Sequence, residues 1–470
     1  MELTDKSALE LSSLLETRQI SAVELMQATL DRIAAVNGTV NAVVSLGDAD
    51  DLLTAARVAD DAPRKGWLHG IPMAIKDMAN VAGFPTSMGS PVMPTEPAKT
   101  DDLMVGRLRA AGAVFIGKTN TPEMGLGSHT FNSVHGTTLN PYDHSRSAGG
   151  SSGGAAAALA CRMVSVADGS DVMGSLRNPA AWNNVYGMRP SWGRVPSEPK
   201  TEMFLHPVGT SGPMARDPRD LAALLEVQAG PDPRQPFGLP AESYLDRIAA
   251  NIKGRRIGWL GDWGGAYQME PGILELTEAA LRVFEDLGAI VEPVAPPIEA
   301  AQLWDSWLCL RALANAGRLD PLYQNPTTRA RLKPDAVWEI ETGRALGAIE
   351  IQRLSLIRSD WYLRAAALFD TYDALVLPST QVWPFPAEWE RPHEINGTPM
   401  DTYHRWMEVV VPVSLIGLPC VNLPVGFGAN GLPGGAQLFG RHGDDLGLLQ
   451  LSQAYHQATD WPGKHAPVVS

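Results

Sequence analysis

The segment "GSDVMGSLRNPAA" (169–181) sets an aspartate, a serine and an arginine within seven positions, as Asp171, Ser175 and Arg177. A serine hydroxyl is a weak nucleophile until a neighbouring base takes its proton. No histidine lies near Ser175 in sequence, and no Cys or His cluster offers metal ligands. Two other segments carry groups able to do the work. "SAGGSSGG" (147–154) places Ser151 and Ser152 in a glycine-rich turn ahead of a helical stretch, and "GIPMAIKDM" (70–78) places Lys76 at the end of an apolar run. Taken singly, each has a plain structural reading: a solvated strand end, a turn, and a helix N-cap.

Several motifs match the letter of a chemistry without its context. "GAVFIGKT" (112–119) fits the phosphate-loop pattern, but its four intervening residues are Ala-Val-Phe-Ile, which favour a buried strand over a phosphate-wrapping loop. "GGSSG" (149–153) fits the nucleophile elbow of the α/β-hydrolases, with His442 or His456 as remote partners. That elbow demands a strand immediately before it, and "NPYDHSRSAGG" reads as loop. "SEPK" (197–200) fits S-x-x-K, yet Pro199 breaks the helical turn that the pattern needs.

The three remaining segments, in this order and spacing, resemble the amidase signature family of serine hydrolases. Ser175 follows Ser151 by 24 residues and Lys76 by 99. The resemblance is dense from Gly70 to Pro213, through "RNPAA", "YGMRPSWGRVP" and "TSGPMARDPRDLA". It returns at "GLPCVNLPVGF" and "GLPGGAQLFG". It implies a Ser–cis-Ser–Lys triad: Ser175 as nucleophile, Ser151 on a cis peptide after Gly150 as the bridge, and Lys76 as the base. It also implies that backbone N–H groups of residues 172–175, hence Val172, Met173 and Gly174, face the developing oxyanion. Ser152, Asp171 and Arg177 would hold the surrounding loops. The family usually has glycine where this chain has Met173, a departure expected to reshape the acyl pocket and leave the main-chain donors in place.

The physical chemistry agrees with those roles. A lysine is a base only when neutral, so its amine must lose affinity for the proton. Burial behind "IPMAI" does this by desolvating the ammonium. Asp77 would oppose it, but strand alternation sends successive side chains to opposite faces.

Those groups must be positioned by a suitable frame. Two capping boxes, Ser7–Glu10 and Ser21–Glu24, open amphipathic helices. Strands are predicted at 71–75, 113–117, 256–260, 289–294, 373–378, 420–427 and 435–440. Helices are predicted at 100–112 and 272–287, over "AAAALACRMV", and through most of 300–370. The segment around 216–250 reads as a surface excursion. This alternation predicts an α/β fold, a single large domain with a mixed central sheet covered by helices. Its parts are N-terminal helices over 1–65, a signature core over 66–215, and the remaining sheet and helices over 216–470, with a helical and loop cap around 300–400.

Composition narrows the function. The 470 residues are 44% hydrophobic and 19% charged, with 82 glycines and prolines (45 and 37) and a net charge of −14. That is a globular balance and an acidic chain, which speaks against a general nucleic-acid surface. No apolar run approaches a membrane span, and the start lacks a signal-peptide pattern. Cys161, Cys309 and Cys420 are far apart and expected to be buried thiols in a reducing cytoplasm. The expected activity is hydrolysis of C–N bonds in linear carboxylic amides with apolar or aryl groups. Carbamate or ester hydrolysis is the alternative, and membership of a tRNA-dependent amidotransferase complex is a further one. A small amide or carbamate is the expected partner, no cofactor or metal is expected, and a homodimer stays open.

Overall fold

The computed structural model of the chain describes residues 2–200 and 202–469. Both predicted capping boxes form, with Ser7 and Ser21 each accepting from the third residue of its helix and Glu10 and Glu24 reaching back. Strands β1 (Val43–Val44), β2 (Pro72–Lys76) and β3 (Val114–Thr119) make a small sheet in the order β1-β3-β2. The phosphate-loop lookalike is thus buried strand, as its side chains required.

The main sheet has eight strands: β4 (Val166–Asp171), β5 (Tyr186–Arg189), β6 (Thr210–Ala215), β7 (Arg256–Trp259), β8 (Ile290–Pro293), β9 (Ala374–Pro378), β10 (Cys420–Phe427) and β11 (Pro433–Phe439). Their spatial order is β8-β7-β9-β11-β10-β5-β6-β4. The pairs β7–β8 and β7–β9 are parallel and the other five antiparallel, so the sheet is mixed, as predicted.

Strand alternation sorts the core. Val376 and Leu438 join an apolar cluster with Leu221, Leu281 and Leu448 from covering helices, while Leu375, Leu377 and Phe439 join a tryptophan-rich cluster with Trp304, Trp307 and Trp361. In β2 the same rule sends Met73 and Ile75 to the first cluster. Ala74 turns to a third cluster, built on Ala155–Ala160. Lys76, two residues after Ala74, therefore points towards the helix Gly153–Ala160. That direction fixes the site.

Three predictions need correction. Strands β4, β5 and β6 lie within 140–215, where the pattern predicts none, because their glycines and polar residues have poor strand propensity. The segment before "GGSSG" is not plain loop: Asp143–Ser147 pairs with Leu139–Asn140 in a short ribbon. The excursion around 216–250 begins with a helix, Pro218–Gln228, capped by Asp217. The 300–370 region is helical as expected, in the segments Ala300–Gln324, Pro326–Arg329, Pro334–Arg344 and Ala348–Leu368.

Candidate active site

Lys76 closes β2 with its amine enclosed by hydroxyls. Nζ donates to Ser151 Oγ at 2.8 Å, to Ser152 Oγ at 2.9 Å and to Ser170 Oγ at 3.1 Å, with the Ser170 carbonyl at 3.3 Å. Its backbone N–H donates to Asp168 at 2.9 Å, tying β2 to β4. Burial lowers the amine's affinity for a proton to a pKa of about 7, against the opposing pull of the Asp168 and Asp171 carboxylates. Asp77 is turned away, as alternation required: it accepts from Ser87 Oγ at 2.5 Å and lies 3.5 Å from Lys118.

The bond between Gly150 and Ser151 is cis. Exposure rises through the three groups, from 1% at Lys76 to 4% at Ser151 and 8% at Ser175, so the amine is the most enclosed and Ser175 the least. Among the described residues the side chain of Ser175 makes no hydrogen bond. The expected bridge is therefore formed on one side only, from Lys76 to Ser151. A hydroxyl rotates freely, and such contacts commonly tighten only around a bound substrate.

The loop carrying Ser175 is built on a buried ion cluster. Arg177 clasps Asp171 through Nε to Oδ2 (3.0 Å) and Nη2 to Oδ1 (2.9 Å), while Arg189 reaches Oδ1 at 3.1 Å. Asp171 also accepts the backbone N–H groups of Gly174 and Leu176, each at 3.0 Å. Burial by itself would push this carboxyl up, but the two guanidinium groups outweigh it and hold the carboxylate well below the usual range. Gly174 sits at φ +82°, where other residues are strained, and a Cβ there would meet Asn178 Oδ1 at 2.6 Å.

One expectation changes here. The N–H of Gly174 is taken by Asp171, so the groups still pointing free of hydrogen bonds among the described residues are those of Val172, Met173 and Ser175. The carboxylate that shapes the loop claims the donor in its middle.

The amidase family model matches residues 24–449. The chain belongs to the amidase signature family. It is 31% identical over 469 residues to an acylamidase of Rhodococcus erythropolis, covering 97% of this chain and 96% of that protein. It is 35% identical over 478 residues to a glutamyl-tRNA(Gln) amidotransferase subunit of Chloroflexus aurantiacus, covering 94% of each. A crystal structure of a bacterial aryl acylamidase of the amidase signature enzymes superposes with a TM-score of 0.89 at 30% identity, covering 98% of this chain and 99% of that one.

The remaining sites in this amidase signature chain fall into place around that loop. Met173 is buried and belongs to the tryptophan-rich cluster. Trp182, seven residues after Ser175, stacks on Trp406 (5.7 Å) and meets Phe385 edge-on (5.5 Å). Of the aromatics in "QVWPFPAEWE", Phe385 is thus core, Trp383 is half-buried with its indole N–H on Pro271, and Trp389 is 47% exposed. His442 and His456 bond Trp192 and Tyr186, not either serine, so the hydrolase-type triad does not assemble.

Ser152, expected to hold the loops, brings its hydroxyl to within 2.9 Å of the Lys76 amine, nearly as close as Ser151 at 2.8 Å. Asp168, Ser170 and Arg189 stand outside the set of residues the sequence points to. Asp168 and Ser170 share the "ADGSD" stretch with Asp171, where alternation along a recognised strand would have found them. Arg189, which comes from β5, had no local signal. The three cysteines are free and buried, as expected. No described helix is long and apolar enough to cross a membrane.

Proposed function

We propose that this chain hydrolyses carboxylic amides bearing apolar or aryl groups, through an acyl-enzyme on Ser175. The observation that carries the reading is a buried, readily neutral Lys76 amine 2.8 Å from Ser151. The neutral amine takes the Ser151 proton while Ser151 takes that of Ser175, and Ser175 Oγ attacks the amide carbonyl. The resulting oxyanion faces the N–H groups of Val172, Met173 and Ser175, each worth about 3–4 kcal/mol where such donors have been removed. The C–N bond then breaks, and the leaving amine recovers the proton from Lys76 by way of Ser151. Water enters along the same relay and releases the acid.

The preference for apolar or aryl groups is supported by the apolar Met173 side chain within the loop whose N–H groups face the oxyanion, and by the likeness to the aryl acylamidase. Carbamates and esters present the same carbonyl geometry, so the same relay serves them. The 35% identity to an amidotransferase component favours one second reading, in which the relay releases ammonia from an amide within a larger assembly. The discriminating experiment is a rate panel of aryl amides, aliphatic amides, glutamine, carbamates and esters on purified protein, with fluorophosphonate labelling. The expected result is label on Ser175, lost in Ser175→Ala, with the highest kcat/KM on aryl amides. Turnover confined to glutamine would move the conclusion to the second reading, and label retained in Ser175→Ala would overturn both.

A further inference from the structure

The helix Ala348–Leu368 packs on Ala300–Gln324 and buries Leu354, Trp361 and Ala365. Its opposite side carries three large apolar residues at strict seven-residue spacing: Ile349 (85% exposed), Leu356 (59%) and Leu363 (68%). Residues seven apart on an α-helix drift by only about 20° around the axis, so the three form one outward stripe about 20 Å long. Surface helices normally place polar residues there, and an apolar residue at every seventh position keeps to one seam of the helix, although the positions three residues on, Gln352 and Ser359, are polar.

Charge decides the occupant. On one flank of the stripe stand Arg353 and Asp360. Their partners within the helix, Glu350 (3.6 Å from Arg353) and Arg364 (2.9 Å from Asp360), lie further round towards the buried side. There Arg364 also donates to the Pro297 carbonyl at 2.9 Å. The other flank carries uncharged Gln352 and Ser359. When two copies of this helix are set antiparallel about a two-fold axis at Leu356, Ile349 of each lies opposite Leu363 of the other. The same flank then meets itself, as it must across such an axis. Arg353 then comes opposite Asp360 in both halves. A parallel pairing would instead turn the charged flank of each helix to the uncharged flank of the other, and Arg353 and Asp360 would find no partner across the seam. The order of charges is self-complementary in the antiparallel direction.

We infer that the chain forms a two-fold homodimer through antiparallel pairing of the helix Ala348–Leu368, with Leu356 on the axis. The surface is distinct from the triad, and the inference stands whatever substrate the site takes.

Sedimentation equilibrium and light scattering on the full chain test it. Wild type is expected to be dimeric at about 100 µM and to dissociate on dilution. Leu356→Glu, which sets two carboxylates face to face, is expected to give a monomer with the wild-type circular dichroism spectrum, and a melt that matches wild type at concentrations where wild type is itself monomeric. Arg353→Glu and Asp360→Arg alone should each raise the dimer dissociation constant about tenfold, since the axis repeats each change twice. The double exchange Arg353→Glu/Asp360→Arg should restore it. A wild type that stays monomeric at that concentration would overturn the inference, as would a dimer indifferent to Leu356→Glu. Single exchanges without rescue in the double variant would overturn the antiparallel register.

Discussion

At the residue scale the central quantity is the protonation of Lys76. Its amine titrates at about 7 in the folded chain against an ordinary 10.5, because burial disfavours the ammonium more than Asp168 and Asp171 favour it. Activity should therefore rise with pH on a limb centred near 7, as the neutral amine accumulates. Lys76→Met should lower kcat/KM by about 10³-fold, a typical general-base contribution. Stability carries a second signature. Between pH 7 and 10.5 the unfolded chain holds a proton on this amine that the folded chain has released, so stability rises with pH across that window. Urea midpoints measured at intervals over the window should show Lys76→Met losing that slope. An unchanged slope would mean that the folded amine stays charged.

At the element scale, the loop after β4 is held by one carboxylate serving several donors. Asp171 accepts from Arg177, Arg189 and two backbone N–H groups, with no exposure to solvent. Asp171→Asn keeps the shape but leaves two buried guanidinium groups without a counter-charge. The expected cost is about 3–5 kcal/mol, typical of removing one partner of a buried ion pair. Equilibrium denaturation measures it, and a cost under about 1 kcal/mol would show that water or carbonyl groups replace the carboxylate. The same loop explains why β4 is hard to see in the sequence. A Cβ on Gly169 would stand 2.6 Å from Leu176 and 2.8 Å from Ser152 Oγ, so close packing demands a residue that signals no strand. By contrast β2, β3, β10 and β11 are buried on both faces and carry apolar runs that can be read directly. The two N-terminal capping boxes are local by construction and equally legible.

At the scale of the whole molecule, the site depends on segments far apart in the chain. Arg177 reaches Gln437 at 2.7 Å and Ser414 at 2.6 Å, and the indole N–H of Trp182 reaches Val382 at 3.3 Å. Trp182→Ala should cost about 3–5 kcal/mol as a large core truncation. It should also lower kcat, because the helix Asn178–Trp182 closely follows Ser175. Denaturant midpoints and steady-state kinetics on one preparation test both, and lost stability with full kcat would separate the packing from the site. What the sequence determined by itself was which groups to look for, Lys76, Ser151 and Ser175, and the broad α/β class, since residue types, motif order and apolar runs are properties of the chain. Only the tertiary structure decided that Ser152 and Ser170 share the amine with Ser151, that Asp171 takes the N–H of Gly174, and that Arg189 joins the cluster. The Lys76 amine, Ser152, Ser170 and Arg189 come from separate segments that the sheet brings to one place, whereas the Asp171–Gly174 bond spans only three residues and depends on the turn that the buried ion cluster fixes.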